Sequence, residues 1–161
     1  MTDKTSIADW QQRASGLVLN GDAFINGRYT PADSGETFDC RSPIDGRVLT
    51  PVSACARADV DHAVTAARQS FESGAWAGQP PRERKRVLQR FAELILEHGD
   101  ELALLETLDM GKPISDSLAV DIPATARCID WYAEAIDKIY DEVAPTGQDA
   151  LALITREPVG V

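Results

Sequence analysis

Three cysteines are the side chains of this 161-residue sequence with the greatest chemical reactivity: Cys40, Cys55 and Cys128. A cysteine becomes a nucleophile when a helix N-terminus, a cation or a base lowers the pKa of its thiol. Arg41 adjoins Cys40 and Arg127 adjoins Cys128, so two of the thiols have a cation next to them in sequence. One neighbouring arginine is weak support for covalent catalysis. We therefore predict structural thiols, buried or on the surface.

Zinc and disulfide chemistry are not indicated. The cysteines are odd in number and widely spaced, which predicts neither a disulfide framework nor a zinc site. The two histidines, His62 and His98, are isolated from any partner at a ligand spacing. We expect both to be helix residues.

The first third of the chain predicts one helix followed by short strands. Residues 6–17 carry apolar side chains on one side and predict an amphipathic helix. Asn26-Gly27 lies between two extended stretches and favours a type I′ hairpin turn. Residues 37–41 and 47–52 predict two further strands, joined through a turn at residues 43–46.

Helices dominate from residue 59. The first has Asp59 and Asp61 in its opening turn, which suits the positive end of the helix dipole, and an apolar face formed by Val60, Val64, Ala67 and Phe71. The second begins at Pro80-Pro81. Its predicted buried stripe consists of Val87, Phe91, Leu94 and Ile95, and its basic residues Arg82, Arg84, Lys85 and Arg86 are expected to face water.

Residues 99–113 predict a helix with marked ends. Gly99 is expected to close the preceding helix and Asp100 to cap this one. At the far end, Gly111 can take the left-handed conformation that caps a helix, and Pro113 blocks its continuation. The physical interpretation of this stretch is a helix terminus inside a core.

A long helical segment follows, from Ile114 to about Asp141. Pro123 lies inside it, so either the helix kinks there or a helix begins near Asp121 with Pro123 in its first turn. Glu134 and Lys138 form an i,i+4 pair.

Three stretches resemble one protein family. Residues 105–113, Leu-Glu-Thr-Leu-Asp-Met-Gly-Lys-Pro, resemble the Glu-Thr-Leu-Asp-x-Gly-Lys-Pro segment of the aldehyde dehydrogenase superfamily. Ser42-Pro43-Ile44-Asp45-Gly46 resembles its Asn-Pro-x-x-Gly turn, and Arg-Glu-Pro-Val-Gly-Val at residues 156–161 resembles its Arg-x-Pro-x-Gly-Val. The resemblance extends from about residue 24 to the last residue. Residues 119–144 look closest to bacterial γ-glutamyl-γ-aminobutyraldehyde dehydrogenases.

The resemblance implies an α/β fold for the parent enzyme. This chain would be a mostly helical α+β portion, with N-terminal β-hairpins and a C-terminal strand, and would lack the nucleotide-binding sheet. Residues 1–144 would belong to the cofactor-binding domain. Residues 145–161 would contain the start of the oligomerisation arm, with a strand at residues 150–155, and the first strand of the nucleotide fold. In the oligomerisation arm, the strand at residues 150–155 would pair with another subunit. As a core strand it would need no partner subunit, and the sequence leaves both possibilities open.

The same resemblance places catalysis outside this chain. The family's nucleophilic cysteine, general-base glutamate, oxyanion asparagine and dinucleotide-binding turn all follow the position equivalent to Val161. We therefore expect no catalytic and no cofactor-binding residue here, and no activity from these 161 residues alone. The parent would use NAD or NADP and form a homo-oligomer.

Asp121 is the first candidate site residue. In family members that oxidise amino-aldehydes, an acidic residue at the matching position faces the cationic end of the substrate. Related enzymes carry a second acid three positions on, where this chain has Ala124. That departure leaves a γ-glutamylated or guanidino substrate open. The alternative is that Asp121 merely caps a helix ahead of Pro123.

Asp109 is the second candidate. The matching family position contributes to a monovalent-cation site together with backbone carbonyls, here those of Cys40 and Arg41, and hard oxygen ligands suit such an ion. The alternative is a structural carboxylate near a helix C-terminus, held by Lys112 or by a backbone N–H.

Charge limits the partners. A net charge of −10 disfavours nucleic acid and anionic membranes, because both would repel the chain. Residues 1–5 lack the basic and apolar pattern of a signal peptide, and the cytoplasm is the default expectation. The first hypothesis is that the parent protein is an enzyme that acts on small-molecule aldehydes. Two further hypotheses remain open: a stand-alone helical interaction or oligomerisation module without catalysis, and an inactive folded fragment.

Overall fold

The computed structural model describes residues 6–160. Their helices are α1 (Ile7–Ser15), α2 (Arg57–Glu72), α3 (Pro81–Glu97), α4 (Gly99–Met110), the single turn α5 (Ile114–Asp116) and α6 (Ile122–Ala135). A π-helical turn, Ser117–Asp121, separates the last two. The strands are β1 (Ala23–Ile25), β2 (Arg28–Thr30), β3 (Thr37–Arg41), β4 (Val48–Ser53), β5 (Glu142–Ala144) and β6 (Ala152–Ile154). Within the described part, the strands form three antiparallel pairs, which confirms the expected mostly helical portion with N-terminal hairpins.

The two N-terminal hairpins follow from their turn residues. Asn26 and Gly27 have φ values of 51° and 77°, which are the left-handed conformations of a type I′ turn. Phe24 and Tyr29 are cross-strand partners, and their rings pack edge to face at 5.2 Å. The second hairpin pairs β3 with β4 and contains a bulge next to Cys40.

Helix α1 has the predicted position and a reciprocal N-terminal cap. The Asp9 backbone N–H donates to the Ser6 hydroxyl at 3.2 Å, and the Ser6 N–H donates to the Asp9 carboxylate at 3.0 Å. The Ser6 hydroxyl, which donates to the same carboxylate at 2.6 Å, and the Ser6 N–H hold the pKa of Asp9 below its ordinary value. An ion pair of 2.6 Å between Arg13 and Asp100 ties α1 to α4.

The core lies between α3 and α6. Its buried members are Ala92, Ile95 and Ala126, and the partly buried Ile122 and Ile129 pack against them. Two predicted members of the α3 stripe are not buried: Val87 is 55% exposed and Phe91 51% exposed. The physical reason is that α6 covers the neighbouring face of α3, which runs through Lys85 and Ala92. The expectation that Lys85 faces water is therefore wrong.

Helix α2 is attached through its first turn. The buried carboxylate of Asp59 accepts the backbone N–H groups of Ala56 and Asp33, each at 2.8 Å, and these bonds lower the pKa of Asp59. The predicted apolar face is open in its first half, since Val60 and Val64 are more than half exposed, whereas Ala67 and Phe71 are partly buried. The hydrogen bonds of Asp59 thus anchor the first turn of this helix.

Two glycines mark the ends of α4 in different ways. Gly111 has φ 77° and caps the helix in the predicted left-handed conformation. Gly99 was expected to close α3, but it is buried as the first residue of α4, where an added Cβ would lie 3.3 Å from Ile122. Its role is close packing against α6. His98 joins the two helices as a cap residue rather than lying within one, whereas His62 lies within α2 as predicted.

The long C-terminal helix is shorter than predicted and is interrupted. Of the two alternatives for Pro123, the structure has the second: α6 begins at Ile122 with Pro123 in its first turn. Helix α6 ends at Ala135 instead of near Asp141. Glu134 and Lys138 form the predicted ion pair at 2.9 Å.

The chain then forms the hairpin of β5 and β6. The predicted strand at residues 150–155 is therefore present as β6, and its partner β5 lies on the other side of the predicted domain boundary at residues 144–145. Val159 and Gly160 have no regular secondary structure, and Val161 and residues 1–5 lie outside the described residues. Within residues 6–160, no helix is long and apolar enough to cross a membrane.

Candidate functional site

Two of the sequence motifs pack directly on each other although they are more than sixty positions apart. The Ser42 hydroxyl is buried and donates to the backbone carbonyl of Leu108 at 2.7 Å. The ring of Pro43 lies against Gly111, where an added Cβ would come within 3.0 Å of the proline Cγ. The turn of residues 42–46 and the end of α4 thus form one junction.

Asp109 lies at this junction and contacts Cys40. The Cys40 thiol donates to Asp109 Oδ1 at 3.1 Å. This bond, more than partial burial, raises the pKa of Cys40. A thiol that keeps its proton is a poor nucleophile, so Cys40 has the environment of a structural residue.

The contact between Asp109 and Cys40 neither supports nor contradicts a bound cation by itself. The structural alternative named Lys112 or a backbone N–H as the partner of Asp109. Instead, Lys112 pairs with Asp121, and the hydrogen bond to Asp109 comes from the Cys40 thiol. Arg41 turns its guanidinium to Asp39 at 2.5 Å, so only its backbone could serve the site. Among residues 6–160, no three His, Cys, Asp or Glu side chains converge in a metal-binding group. The cation site stays a prediction.

Asp121 belongs to a charged cluster that the sequence did not reveal. Its carboxylate forms an ion pair with the ammonium of Lys112, which also lies 4.0 Å from Glu106 Oε1. We call Glu106, Lys112 and Asp121 the 106–112–121 cluster. The side chains are 26%, 31% and 30% exposed, respectively, so solvent reaches all three only in part. The contact with Asp121, followed by the charges of Glu106 and Asp116, raises the pKa of Lys112.

The local backbone explains how these residues meet. The left-handed Gly111 turns the chain out of α4 and places Lys112 beside that helix. Asp121 is the last residue of the π-helical turn, a conformation that is frequent at functional sites. Asp121 occupies the N-cap position of α6, as the capping alternative has it, but makes no side-chain capping bond. Ala124, one turn further on, is exposed.

A second polar network joins α3 to α6. Lys85 Nζ lies 2.9 Å from Glu134 Oε2, Gln89 donates to the other oxygen at 3.0 Å, and Lys138 approaches from the turn that follows α6. The two lysines lower the pKa of Glu134, and Glu134 in turn raises the pKa of Lys85. The sequence signal for this network was the spacing of four residues between Lys85 and Gln89, which places both on one face of a helix. The basic run that contains Lys85 suggested a solvated first turn instead.

The strand pairing bears on the expectation that this segment contains no cofactor-binding residue. Dinucleotide sites of the doubly wound type place a glycine-rich turn between a parallel strand and a helix. Within residues 6–160 the paired strands are all antiparallel. The expectation itself stays a prediction.

Comparisons with known proteins agree on one family. The aldehyde dehydrogenase family profile matches residues 29–161. The NADP/NAD-dependent aldehyde dehydrogenase PuuC of Escherichia coli K12 is 50% identical over 155 residues, which are 96% of this chain and 31% of that protein. The chain thus spans about a third of the length of the curated relatives it matches.

Solved structures give the same result. A γ-glutamyl-γ-aminobutyraldehyde dehydrogenase from Burkholderia cenocepacia J2315 is 56% identical, with a TM-score of 0.94 over 97% of this chain and 32% of that one. The indole-3-acetaldehyde dehydrogenase AldA of P. syringae, a mutant solved with NAD+ and IAA, is 61% identical, with a TM-score of 0.93 over 95% of this chain and 31% of that one.

Proposed function

The chain belongs to the aldehyde dehydrogenase family, and we propose that the whole protein oxidises an amino-aldehyde, γ-glutamyl-γ-aminobutyraldehyde or a near relative, to its carboxylic acid. NAD+ or NADP+ would accept the hydride. The observation that carries the proposal is the 56% identity to a γ-glutamyl-γ-aminobutyraldehyde dehydrogenase over 97% of this chain. Such a reaction would belong to polyamine catabolism.

The 106–112–121 cluster supports a substrate with a charged far end. Two carboxylates and one ammonium lie within a partly desolvated patch. Charge-assisted hydrogen bonds are strongest where water is partly excluded. In this proposal Asp121 and Ala124 border the substrate, and the nucleophile, general base and cofactor residues belong to the remainder of the enzyme.

A neutral aromatic aldehyde is the second candidate substrate. It is favoured by the 61% identity to an indole-3-acetaldehyde dehydrogenase. Lys112 also compensates part of the acidic charge that a cationic substrate would use. The two candidates differ in the charge of the aldehyde, which makes them separable by kinetics.

The test is a steady-state comparison on the whole enzyme. Reduction of NAD+ and of NADP+ is followed by absorbance with γ-glutamyl-γ-aminobutyraldehyde and with indole-3-acetaldehyde. We expect kcat/KM to be at least about tenfold higher for the γ-glutamyl substrate, a difference of ~1.4 kcal/mol. The opposite order would favour the second candidate. If neither aldehyde reduces either cofactor, the interaction-module hypothesis takes precedence.

The monovalent cation belongs to the same proposal. Asp109 and the backbone carbonyls of Cys40 and Arg41 would bind K+ or Na+ in the whole enzyme. The support is the contact between Asp109 and the strand that carries Cys40. Thermal unfolding in KCl and in choline chloride tests it, because a specific ion stabilises only the state that binds it. Equal melting temperatures in both salts would exclude the site.

A further inference from the structure

We propose that helix α1 is a salt-sensitive latch, which covers an apolar cleft and opens when its ion pair with α4 is weakened. In the closed state, which the structure shows, Arg13 of α1 pairs with Asp100 in the first turn of α4 at 2.6 Å. In the open state α1 leaves the cleft, and the apolar side chains beneath it become accessible to water. Helix α1 precedes residues 29–161, so the latch lies outside the segment that the family profile matches.

The first argument is the weak attachment of α1. None of its residues is buried against the described part of the chain, and Ile7 at its start is 79% exposed. Among residues 6–160, the pair of Arg13 and Asp100 makes the only hydrogen bond between α1 and another element. The two side chains are 48% and 64% exposed, so salt can screen their attraction.

The second argument is that α1 covers the cleft without filling it. The cleft has a volume of about 620 Å³. Helix α4 contributes Leu104 and Leu108, both buried, and α1 contributes Trp10 and Ala14. Protein interiors are normally packed with few voids larger than a water molecule. A helix that lies over a space of this size lacks many of the contacts that would otherwise hold it in place.

The third argument is a short hinge between α1 and the first hairpin. Residues 16–20 follow the helix without forming a further helix or strand, and Val18 among them is 95% exposed. The chain is held again at Gly21, whose carbonyl accepts the Ser53 N–H of β4 at 2.9 Å. Residues 16–20 can therefore change direction while the hairpins stay in place.

The reciprocal cap of Ser6 and Asp9 lies within the latch, so α1 does not depend on α4 for its N-terminal order. A helix of nine residues is nevertheless marginal when it is detached. Opening should therefore weaken the backbone hydrogen bonds of α1 as well. Hydrogen exchange of its amides reports such local opening.

Hydrogen exchange on the whole enzyme tests the latch. Amides of α1 are followed by mass spectrometry in NaCl at about 0.01 M and about 1 M, between which the Debye length falls from about 30 Å to about 3 Å. We expect exchange in α1 to accelerate about threefold at the higher concentration, as for the loss of an exposed ion pair. Exchange in α3, which packs on α6 through a buried core, is the internal control and should stay constant. No acceleration in α1, or equal acceleration in both helices, would overturn the inference.

Variants of the ion pair identify the cause. At low salt, Arg13→Gln and Asp100→Asn should each bring exchange in α1 to the rate that the unmodified enzyme shows at high salt. The double variant should be no faster than either single variant, because both remove the same interaction. Glu97→Gln breaks a comparably exposed pair with Arg90 on α3 and should leave exchange in α1 unchanged. Fully additive effects of the two single variants would refute the latch.

Access to the cleft is measured with a thiol placed inside it. In Leu104→Cys we expect alkylation of the new thiol by N-ethylmaleimide to be about threefold faster at high salt, in parallel with exchange in α1. Ile95→Cys is the matched control, since Ile95 is similarly buried but lies in the core between α3 and α6. Equal rates for Leu104→Cys at both salt concentrations would show that the cleft stays covered. If a variant does not fold, the salt dependence of exchange in the unmodified enzyme decides.

Discussion

At the scale of single residues, the contact between Cys40 and Asp109 determines the reactivity of the thiol. The hydrogen bond to Asp109 favours the protonated form of Cys40 and raises its pKa. Less thiolate is therefore present at neutral pH than for an ordinary cysteine. Since the thiolate is the reactive species, alkylation of Cys40 should be slow.

Removing the carboxylate tests this directly. In Asp109→Ala we expect alkylation of Cys40 by iodoacetamide to accelerate about threefold or more, because the thiol returns toward its ordinary pKa. Site-resolved mass spectrometry measures the rate, and Cys55 in the same sample serves as internal control. An unchanged rate at Cys40 would show that steric access, not Asp109, controls its reactivity.

Gly111 offers a second prediction at this scale. Gly111 and Gly27 both have φ 77°, so alanine is strained at either position. Only Gly111 has a neighbour within reach of the added Cβ, namely Pro43. Gly27→Ala should cost about 1 kcal/mol in the free energy of unfolding, and Gly111→Ala clearly more, about 2–3 kcal/mol. Urea denaturation measures both, and equal losses would contradict the packing argument.

Sequence patterns predicted the residues that act through local conformation. Asn26-Gly27 and Gly111 required left-handed backbone, and both have it. The partner of Asp121 was not predictable in the same way. Lys112 and Asp121 are nine positions apart, and their meeting depends on a cap, one helical turn and a π-helical turn between them. Helical periodicity alone contains no signal for a π-helical turn.

At the scale of elements, the contact between α3 and α6 combines a small apolar core with a charged network. The pKa of Glu134 is held below its ordinary value of 4.5 by Lys85 and Lys138. A group whose pKa is lower in the folded state stabilises that state above its unfolded pKa. The stabilisation is lost as the pH falls through the folded-state pKa.

The expected consequence is an acid-sensitive contact. In the unmodified protein the melting temperature should fall as the pH decreases below about 4.5, and part of this fall belongs to Glu134. In Glu134→Gln the acid limb should be shallower, because no proton is taken up at this position. Differential scanning fluorimetry over a pH series checks the slope. Identical slopes would mean that Glu134 does not contribute.

The helix faces show where periodicity ceases to predict burial. A period of 3.6 residues identifies side chains that share a face, but it does not say which face a neighbour will cover. In α3 the apolar stripe with Phe91 is half exposed, whereas the adjacent face with Lys85 is covered by α6. Small residues such as Ala92 and Ala126 make that close approach possible. They carry little hydrophobic signal in the sequence.

At the scale of the whole molecule, large apolar side chains lie on the outside of the described segment. Examples on α2, α3 and α6 are Val64, Phe91 and Trp131. Exposed apolar surface of this extent marks an interaction face. The proposed role as one layer of a larger α/β enzyme accounts for it, since helices that cover a sheet are apolar on the covered side.

The hairpin of β5 and β6 provides the prediction at this scale. Val143, Leu151 and Leu153 are 68%, 74% and 62% exposed, and a short strand pair has free edges to which another chain can add. In the proposed homo-oligomer, Leu153→Lys in the whole enzyme should shift the assembly toward smaller species. Light scattering coupled to size-exclusion chromatography measures the mass. An unchanged mass in Leu153→Lys would remove the hairpin from the interface.

The contact between Pro43 and Gly111 links the evolution of two loops. Because the proline ring occupies the space that a Cβ at position 111 would need, the tolerance of one position depends on the residue at the other. Replacing Pro43 by alanine should recover part of the stability lost in Gly111→Ala, although the strained backbone of residue 111 remains. A lineage that loses the proline first can therefore accept changes at the helix end that would be harmful in the opposite order. The order of substitutions, and not only their identity, is constrained by this contact.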